Sequence, residues 1–163
     1  METITHEIEP FFDADSKILI LGTMPSPKSR ERGFYYMHPQ NRFWRVLSDV
    51  LGENFPETIG ARKELLRRNR IALWDVLSSC EISGASDASI RNAKPNDIAW
   101  LLKQAPIGRI YATGKTAEKY YNRFLRKELG REIIGLPSTS PANCRLRYED
   151  LLKEYRVITE VLR

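Results

Sequence analysis

Four short apolar runs separated by longer amphipathic stretches constrain the fold of this chain more than any other feature. The runs cover residues 17–21, 71–76, 107–112 and 132–136. Runs that are apolar along their whole length are typical of strands buried on both faces of a parallel sheet. Apolar side chains recur at helical spacing over residues 43–51, 117–125 and 148–162, and a further helix is predicted to start near 95–97.

Strands that alternate with helices predict a parallel sheet that is covered on both faces. The expected fold class is therefore α/β, a three-layer α/β/α sandwich with a central four-stranded parallel sheet. No repeat, low-complexity tract or linker interrupts the pattern. We therefore expect a single domain over residues 1–163.

The charge of the chain is unevenly distributed. The formal net charge is +5. Residues 1–25 carry one lysine against five acids, whereas residues 26–50 carry five basic side chains against two acids. Local basic patches suit a polyanionic partner, but a solvated surface explains them equally well from charge alone. The further basic stretches at 61–70 and 115–131 are left without an assigned role.

Several classes of protein are excluded by residues that the chain lacks. The longest apolar run has five residues, over 98–102, which is too short to span a bilayer. The acidic N-terminal segment does not resemble a signal peptide, so we expect a cytoplasmic protein without a membrane partner. Cys80 and Cys144 lie far apart with no CxxC motif, which excludes a four-thiolate zinc site or an iron–sulfur cluster. We expect both thiols to be buried, and we expect no metal and no cofactor.

Three loops that follow predicted strands are rich in polar and aromatic residues that could bind a ligand. They cover residues 22–44, 78–87 and 136–143. Ligands of parallel α/β sheets lie beyond the carboxyl ends of the strands. The first loop interleaves aromatic rings with arginines, an arrangement that suits an unstacked base beside phosphates. We expect Phe43 and Trp44 to lie in the core, Tyr36 to face a pocket, and Pro25 and Pro27 to hold an extended path.

Three of these segments together resemble one known family. They are GTMPS at 22–26, YYMHPQNRFW at 35–44 and LPSTSPAN at 136–143. In this order, each after a predicted strand, they resemble the uracil-DNA glycosylase superfamily, and within it most closely the hypoxanthine-DNA (deoxyinosine) glycosylase branch. The resemblance covers residues 17–148. It implies a four-stranded parallel sheet between helices and a base excision repair enzyme acting on DNA, duplex or single-stranded. Such an enzyme flips out a deaminated base, hypoxanthine first and uracil second, and hydrolyses its N-glycosidic bond to leave an abasic site.

The resemblance also implies roles for individual residues. Asn41 is the implied catalytic residue. The implied base-binding residues are Gly22, Thr23, Met24, Tyr36, His38 and Asp75. The implied DNA-binding residues are Ser26, Lys28, Arg42, Ser138, Thr139, Ser140, Pro141, Ala142, Asn143 and Arg145, with Pro141 and Ala142 filling the vacated stack. Arg30, Arg32, Arg45 and Arg147 are expected on the same DNA-facing side, and residues 1–25 are expected mostly to turn away from it.

Several of these side chains could instead have purely structural roles. Asn41 can cap the helix that follows it. His38 can bond backbone and shape its loop, and Asp75 can orient donors or cap the next segment. Ser138 and its neighbours can be ordinary turn residues.

The sequence also departs from the family pattern in ways that leave alternatives open. Met24 stands where related enzymes have Asn or Asp, and Leu136 stands where many have His or Asn. These departures favour a rival hypothesis, a non-catalytic DNA-binding module of the same fold. A small-molecule hydrolase is a weaker alternative, because no nucleophile elbow is visible. Lys28 is the one lysine in the pocket motifs, so we expect a monofunctional enzyme without a Schiff-base step, acting as a monomer.

Overall fold

The computed structural model describes residues 1–84 and 86–162. Its strands are β1 (Glu2–Thr5), β2 (Ile18–Gly22), β3 (Ile71–Asp75), β4 (Leu77–Ile82), β5 (Arg91–Pro95), β6 (Arg109–Thr113) and β7 (Ile134–Leu136). Four of them form a wholly parallel sheet in the order β3-β2-β6-β7. The predicted α/β fold with a central four-stranded parallel sheet is therefore confirmed, and each of its strands overlaps a predicted apolar run and ends within one residue of it.

A second sheet was not predicted. Strands β1, β4 and β5 pair antiparallel in the order β1-β4-β5. The segment 78–87, which we expected to be a strand-end loop, instead forms most of β4 and leads to a short 3₁₀ turn at Asp87–Ser89. Burial along β4 is irregular, with Leu77, Cys80 and Ile82 buried. The strand therefore lacks the strict alternation by which a half-buried strand is recognised in a sequence.

The helices over 43–51, 98–104, 115–124 and 148–162 match predicted stretches, whereas those over 27–32, 59–68 and 126–129 were not predicted. They are α1 (Pro27–Arg32), α2 (Phe43–Leu51), α3 (Ile59–Arg68), α4 (Ile98–Gln104), α5 (Lys115–Phe124), α6 (Arg126–Leu129), α7 (Tyr148–Tyr155) and α8 (Thr159–Leu162). The C-terminal helix is interrupted by a 3₁₀ turn at Arg156–Ile158. Helix α1 replaces part of the expected extended path, because Pro27 suits the first turn of a helix and the Ser26 side chain caps it.

The core lies on both sides of the parallel sheet. Strands β2 and β3 are buried at every residue, as expected for strands that are covered on both faces. Helix α3 packs on β3, α5 packs on β6 and β7, and α2 packs on α7. Within the residues described, no helix is long and apolar enough to cross a membrane.

The two cysteines have different environments. Cys80 is buried, as expected, but Cys144 is exposed. The expectation that both thiols are buried was therefore wrong for Cys144. It follows the 3₁₀ turn at Pro141–Asn143, and its neighbour Arg145 is exposed as well.

Candidate active site

The carboxyl ends of the parallel strands bring the predicted site segments to one edge of the sheet. The register pairs Gly22 of β2 with Asp75 of β3 and Thr113 of β6 with Leu136 of β7. Because β2 also pairs with β6, these four terminal residues form a row. The first and third predicted loops start from this row, as the sequence analysis expected.

Gly22 lies where neighbouring polar groups leave no room for a side chain. A Cβ at this position would lie 2.5 Å from Asp75 Oδ1, 3.2 Å from the Tyr36 hydroxyl and 3.6 Å from Thr113 Oγ1. Three oxygen atoms from three separate segments therefore converge over the end of β2. Glycine is required by this close approach and not by backbone conformation.

Tyr36 is held at this position from two directions. Its hydroxyl is hydrogen-bonded to Thr113 Oγ1 at 3.0 Å, and its ring stacks on Phe43, with centroids 3.8 Å apart and planes inclined by 15°. Its backbone is left-handed, with φ 55°, a conformation that costs a non-glycine residue about 1–2 kcal/mol. Burial, and then the charge of Asp75, raise the pKa of Tyr36 far above its ordinary value. The hydroxyl therefore stays protonated at physiological pH.

Asp75 is paired with a residue that the sequence analysis did not place in the site. His6 Nε2 lies 2.8 Å from Asp75 Oδ2, and the two side chains are only 1% and 4% exposed. The expectation that the N-terminal segment turns away from the site was therefore wrong for His6. Asp75 is the single charged residue of the apolar run 71–76, and a buried carboxylate requires a partner. The sequence thus indicated that Asp75 needs a partner, but it did not indicate that this partner is His6, which lies far away along the chain.

Asn41 forms the helix-capping contact that the sequence analysis gave as the alternative to a catalytic role. Its Oδ1 accepts a hydrogen bond from the Phe43 backbone N at 2.9 Å, which satisfies a donor in the first turn of α2. Its side chain is partly buried. This contact engages the oxygen of the carboxamide and leaves its NH₂ group for other partners. A cap and a catalytic role are therefore compatible, and the catalytic role stays a prediction.

Arg42 links the first and third loops. Its backbone N donates to Thr139 O at 3.1 Å, and its guanidinium donates to Leu146 O at 2.7 Å and to Asn143 O at 3.1 Å. The side chain that we expected to contact DNA is thus bound to two carbonyls of the chain itself. This arrangement fixes the loop after β7 relative to the start of α2.

The third loop is held by hydrogen bonds among its own residues. Ser138 Oγ accepts from Ser140 N at 3.1 Å, Ser140 Oγ accepts from Ala142 N at 3.2 Å, and Asn143 Nδ2 donates to Ser138 O at 2.9 Å. Thr139 is buried, whereas Ala142 is exposed. Each serine hydroxyl keeps a proton that it can donate outward. The loop is therefore a preformed turn with an exposed tip.

The remaining base-binding candidates have structural contacts. The carbonyls of Gly22 and Thr23 accept hydrogen bonds from the first residues after β3, which ties the first loop to the exit of that strand. Met24 is partly buried. His38 Nδ1 accepts from Gln40 N at 3.1 Å, so this histidine shapes its own loop, as one of its expected roles required.

The basic residues near these loops differ in how far they are engaged. Lys28 is paired with Glu31 at 3.3 Å, and Arg30 lies 3.6 Å from Glu2. Arg145 is exposed and forms no ion pair within residues 1–84 and 86–162. It is therefore free to meet a phosphate, whereas the other two must exchange an existing partner.

A cavity of about 660 Å³ lies elsewhere, between the N-terminal segment and helices α1 and α3. None of the predicted site residues lines it. Over the described part of the chain, no three His, Cys, Asp or Glu side chains are arranged to hold a metal ion.

Comparisons with known proteins agree with the fold. The sequence model of the Uracil DNA glycosylase superfamily matches residues 9–162, so the chain belongs to this superfamily. It is 36% identical over 135 residues to a protein of Methanosarcina acetivorans named hypoxanthine DNA glycosylase, covering 82% of this chain and 84% of that protein. A protein of the same name from Methanosarcina barkeri is 35% identical over 138 residues, covering 83% and 86%.

A solved structure matches over nearly the whole chain. The solution NMR structure of a Methanosarcina acetivorans protein, described as a candidate uracil DNA glycosylase, superposes with a TM-score of 0.83. The sequences are 31% identical, and the match covers 99% of both chains. The fold is therefore that of this structural neighbour.

Proposed function

We propose that this chain is a monofunctional DNA glycosylase of base excision repair that removes deaminated bases, hypoxanthine first and uracil second, and leaves an abasic site. It acts as one domain and as a monomer, in the cytoplasm on nucleoid DNA. Membership of the superfamily and the two relatives named hypoxanthine DNA glycosylase support this substrate class. The rival hypothesis of a non-catalytic DNA-binding module finds no support in relatives that are named as enzymes.

The observation that carries the proposal is the convergence of Asp75, Tyr36 and Thr113 over Gly22. Oxygen atoms of these three side chains lie within 3.6 Å of the place where a Cβ of Gly22 would stand. Such a cluster at the carboxyl ends of parallel strands suits a flat ring with polar edges. The reaction begins when the nucleotide leaves the helical stack and its base enters this pocket.

Breaking an N-glycosidic bond leaves positive charge on the sugar and negative charge on the departing base. A protein accelerates this step by holding the base, placing a water molecule and stabilising the separated charges. The Asn41 NH₂ group, which its cap contact leaves free, orients the water or donates to a carbonyl of the base. A carboxamide does not remove a proton, so positioning supplies most of the rate.

The loop after β7 supplies contacts to the DNA itself. Ser138 and Ser140 donate their hydroxyl protons to phosphates, with Thr139 and Asn143 in the same turn. Pro141 and the exposed Ala142 occupy the space that the flipped nucleotide leaves. Arg145 contacts a neighbouring phosphate, and Arg42 acts chiefly by holding this loop in place.

The test is an excision assay on a panel of DNA substrates. Duplexes and single strands that carry one hypoxanthine, uracil or xanthine are incubated with the protein, treated with alkali and separated on a gel. We expect cleavage after alkali, fastest for hypoxanthine, and no adduct when borohydride is added, because no Schiff base forms. Binding without cleavage of any deaminated base at stoichiometric protein would refute the proposal in favour of the non-catalytic module.

A further inference from the structure

The two oxygens of the Asp75 carboxylate have different surroundings. Oδ2 lies 2.8 Å from His6 Nε2, whereas Oδ1 lies over Gly22 and accepts no hydrogen bond from the residues that the structure describes. An ionised carboxylate only accepts hydrogen bonds, so His6 must carry a proton on Nε2. The side chain of Asp75 is therefore held at Oδ2, while Oδ1, over Gly22, keeps its capacity to accept a hydrogen bond.

The imidazole of His6 is positioned from outside the pocket. His6 follows β1 directly, and its backbone N donates to Ser78 O at 2.7 Å, which extends the pairing of β1 with β4. The second sheet, and not the strand-end loops, therefore sets where Nε2 lies.

Neighbouring hydroxyls do not substitute for His6. Tyr35 has its ring centroid 6.2 Å from that of His6, but its hydroxyl donates to Glu9 O at 2.8 Å. The Tyr36 hydroxyl is bonded to Thr113. In the described part of the chain, His6 is thus the side chain that is hydrogen-bonded to the Asp75 carboxylate. Removing the partner of a buried carboxylate is strongly destabilising.

We propose that His6 is a positioning residue, which fixes Asp75 so that Oδ1 accepts the ring N–H of an extruded base. The pair thereby selects hypoxanthine and uracil over their parent bases, adenine and cytosine. This inference rests on the proposed glycosylase function and adds a residue and a selection rule to it.

The selection rule follows from the chemistry of the bases. Deamination of adenine turns ring atom N1 from a lone-pair acceptor into an N–H donor, and deamination of cytosine does the same at N3. A carboxylate oxygen accepts from either N–H group, but it faces a lone pair in adenine or cytosine. A buried charge left without a partner is costly. One fixed acceptor therefore accommodates hypoxanthine and uracil and rejects both parent bases.

The test compares three variants under single-turnover conditions with saturating enzyme. His6→Ala removes the donor, and His6→Gln keeps an N–H donor of similar reach. Leu125→Ala is the matched control, because Leu125 is buried at the C-terminal end of α5 and its truncation destabilises the fold without loosening β1, which carries His6. We expect His6→Ala to slow excision of hypoxanthine and uracil roughly 10- to 100-fold, with affinity for undamaged duplex unchanged. His6→Gln recovers most of the rate, and Leu125→Ala keeps the wild-type rate at temperatures where it is folded.

A measurement on the free protein tests the contact without enzymatic activity. The chain has two histidines, so ¹⁵N spectra of histidine side chains resolve His6 against His38 as an internal reference. We expect His6 to be protonated at Nε2, and we expect Asp75→Asn to shift its resonances while those of His38 stay in place.

The outcomes separate this inference from the proposed function. Wild-type protein that excises no deaminated base refutes both. Wild-type protein that excises hypoxanthine, with His6→Ala equally fast or with Leu125→Ala as slow as His6→Ala, refutes only the role of His6. An unprotonated Nε2 also overturns the inference while leaving the glycosylase proposal intact.

Discussion

Replacing Asn41 by alanine separates two roles that the structure superimposes on one side chain. The substitution removes the hydrogen bond from the Phe43 backbone N to Asn41 Oδ1, which is 2.9 Å long. Loss of such a cap costs about 1 kcal/mol of unfolding free energy. For a chain of 163 residues, that loss lowers the Tm by about 2–4 °C.

The expected effect on excision is much larger than the effect on folding. If the carboxamide orients the attacking water or holds the base, its removal slows the single-turnover excision rate by about 100-fold or more. A domain of ordinary stability, about 5–15 kcal/mol, remains almost wholly folded after losing about 1 kcal/mol. Unfolding therefore does not account for a rate loss of that size.

Asn41→Ser is the matched control for the cap. A serine hydroxyl accepts from the backbone two residues on, as asparagine does, though more weakly. The serine variant should recover most of the Tm while it stays as slow as the alanine variant. Thermal unfolding and the cleavage of an end-labelled hypoxanthine duplex measure the two quantities. If Asn41→Ser restores the excision rate together with the Tm, Asn41 is a helix cap and the catalytic assignment is refuted.

Further predictions follow from other contacts. Gly22→Ala should abolish excision at normal affinity for undamaged DNA, because the new methyl group would lie 2.5 Å from Asp75 Oδ1 and displace that carboxylate; a rate close to wild type in the gel assay would contradict this. Arg145→Ala should weaken duplex binding and lower the slope of log affinity against log salt by about 1, and an unchanged slope in fluorescence anisotropy would remove Arg145 from the interface. Arg42→Ala should lower the Tm more than Arg145→Ala does, because only Arg42 bonds loop carbonyls; equal Tm values would show that these bonds contribute nothing. Burial raises the pKa of Tyr35 and Tyr36 in the folded protein, whereas the tyrosines of the unfolded chain ionise near pH 10. The free energy of unfolding, measured in urea, should therefore fall as the pH rises above about 10. A flat profile between pH 9 and 11 would contradict this expectation.

The central sheet could be read from the sequence because its strands are buried on both faces. Such strands are apolar at every position, so the signal is local and survives without knowledge of the partners. Helix α2 could also be predicted, since its apolar positions share one face. In the structure it ends at Gly52, which has a φ of 70°. The antiparallel sheet could not be predicted from the sequence. Strand β4 carries serines and a glutamate among its buried residues, and it is a strand because β1 and β5 pair with it.

The candidate site divides in the same way. The resemblance implied Gly22, Asp75 and Tyr36 as base-binding residues, and the parallel pairing of β2 with β3 brings Gly22 and Asp75 to the same edge of the sheet. The partner of Asp75 was missed, because no local pattern connects residue 6 to residue 75. The engagement of Arg42 with the loop after β7 was missed for the same reason.

The sequence by itself determined which segments are strands of the parallel sheet, at which end of that sheet the polar loops meet, and which family the motifs resemble. These properties depend on periodicity and on residue types within a short window. Only the tertiary structure decided how individual polar groups are paired: His6 with Asp75, Tyr36 with Thr113, and Arg42 with the carbonyls of the third loop. A buried polar group must find a partner, but the partner is chosen by proximity in space, which the order of residues along the chain does not reveal.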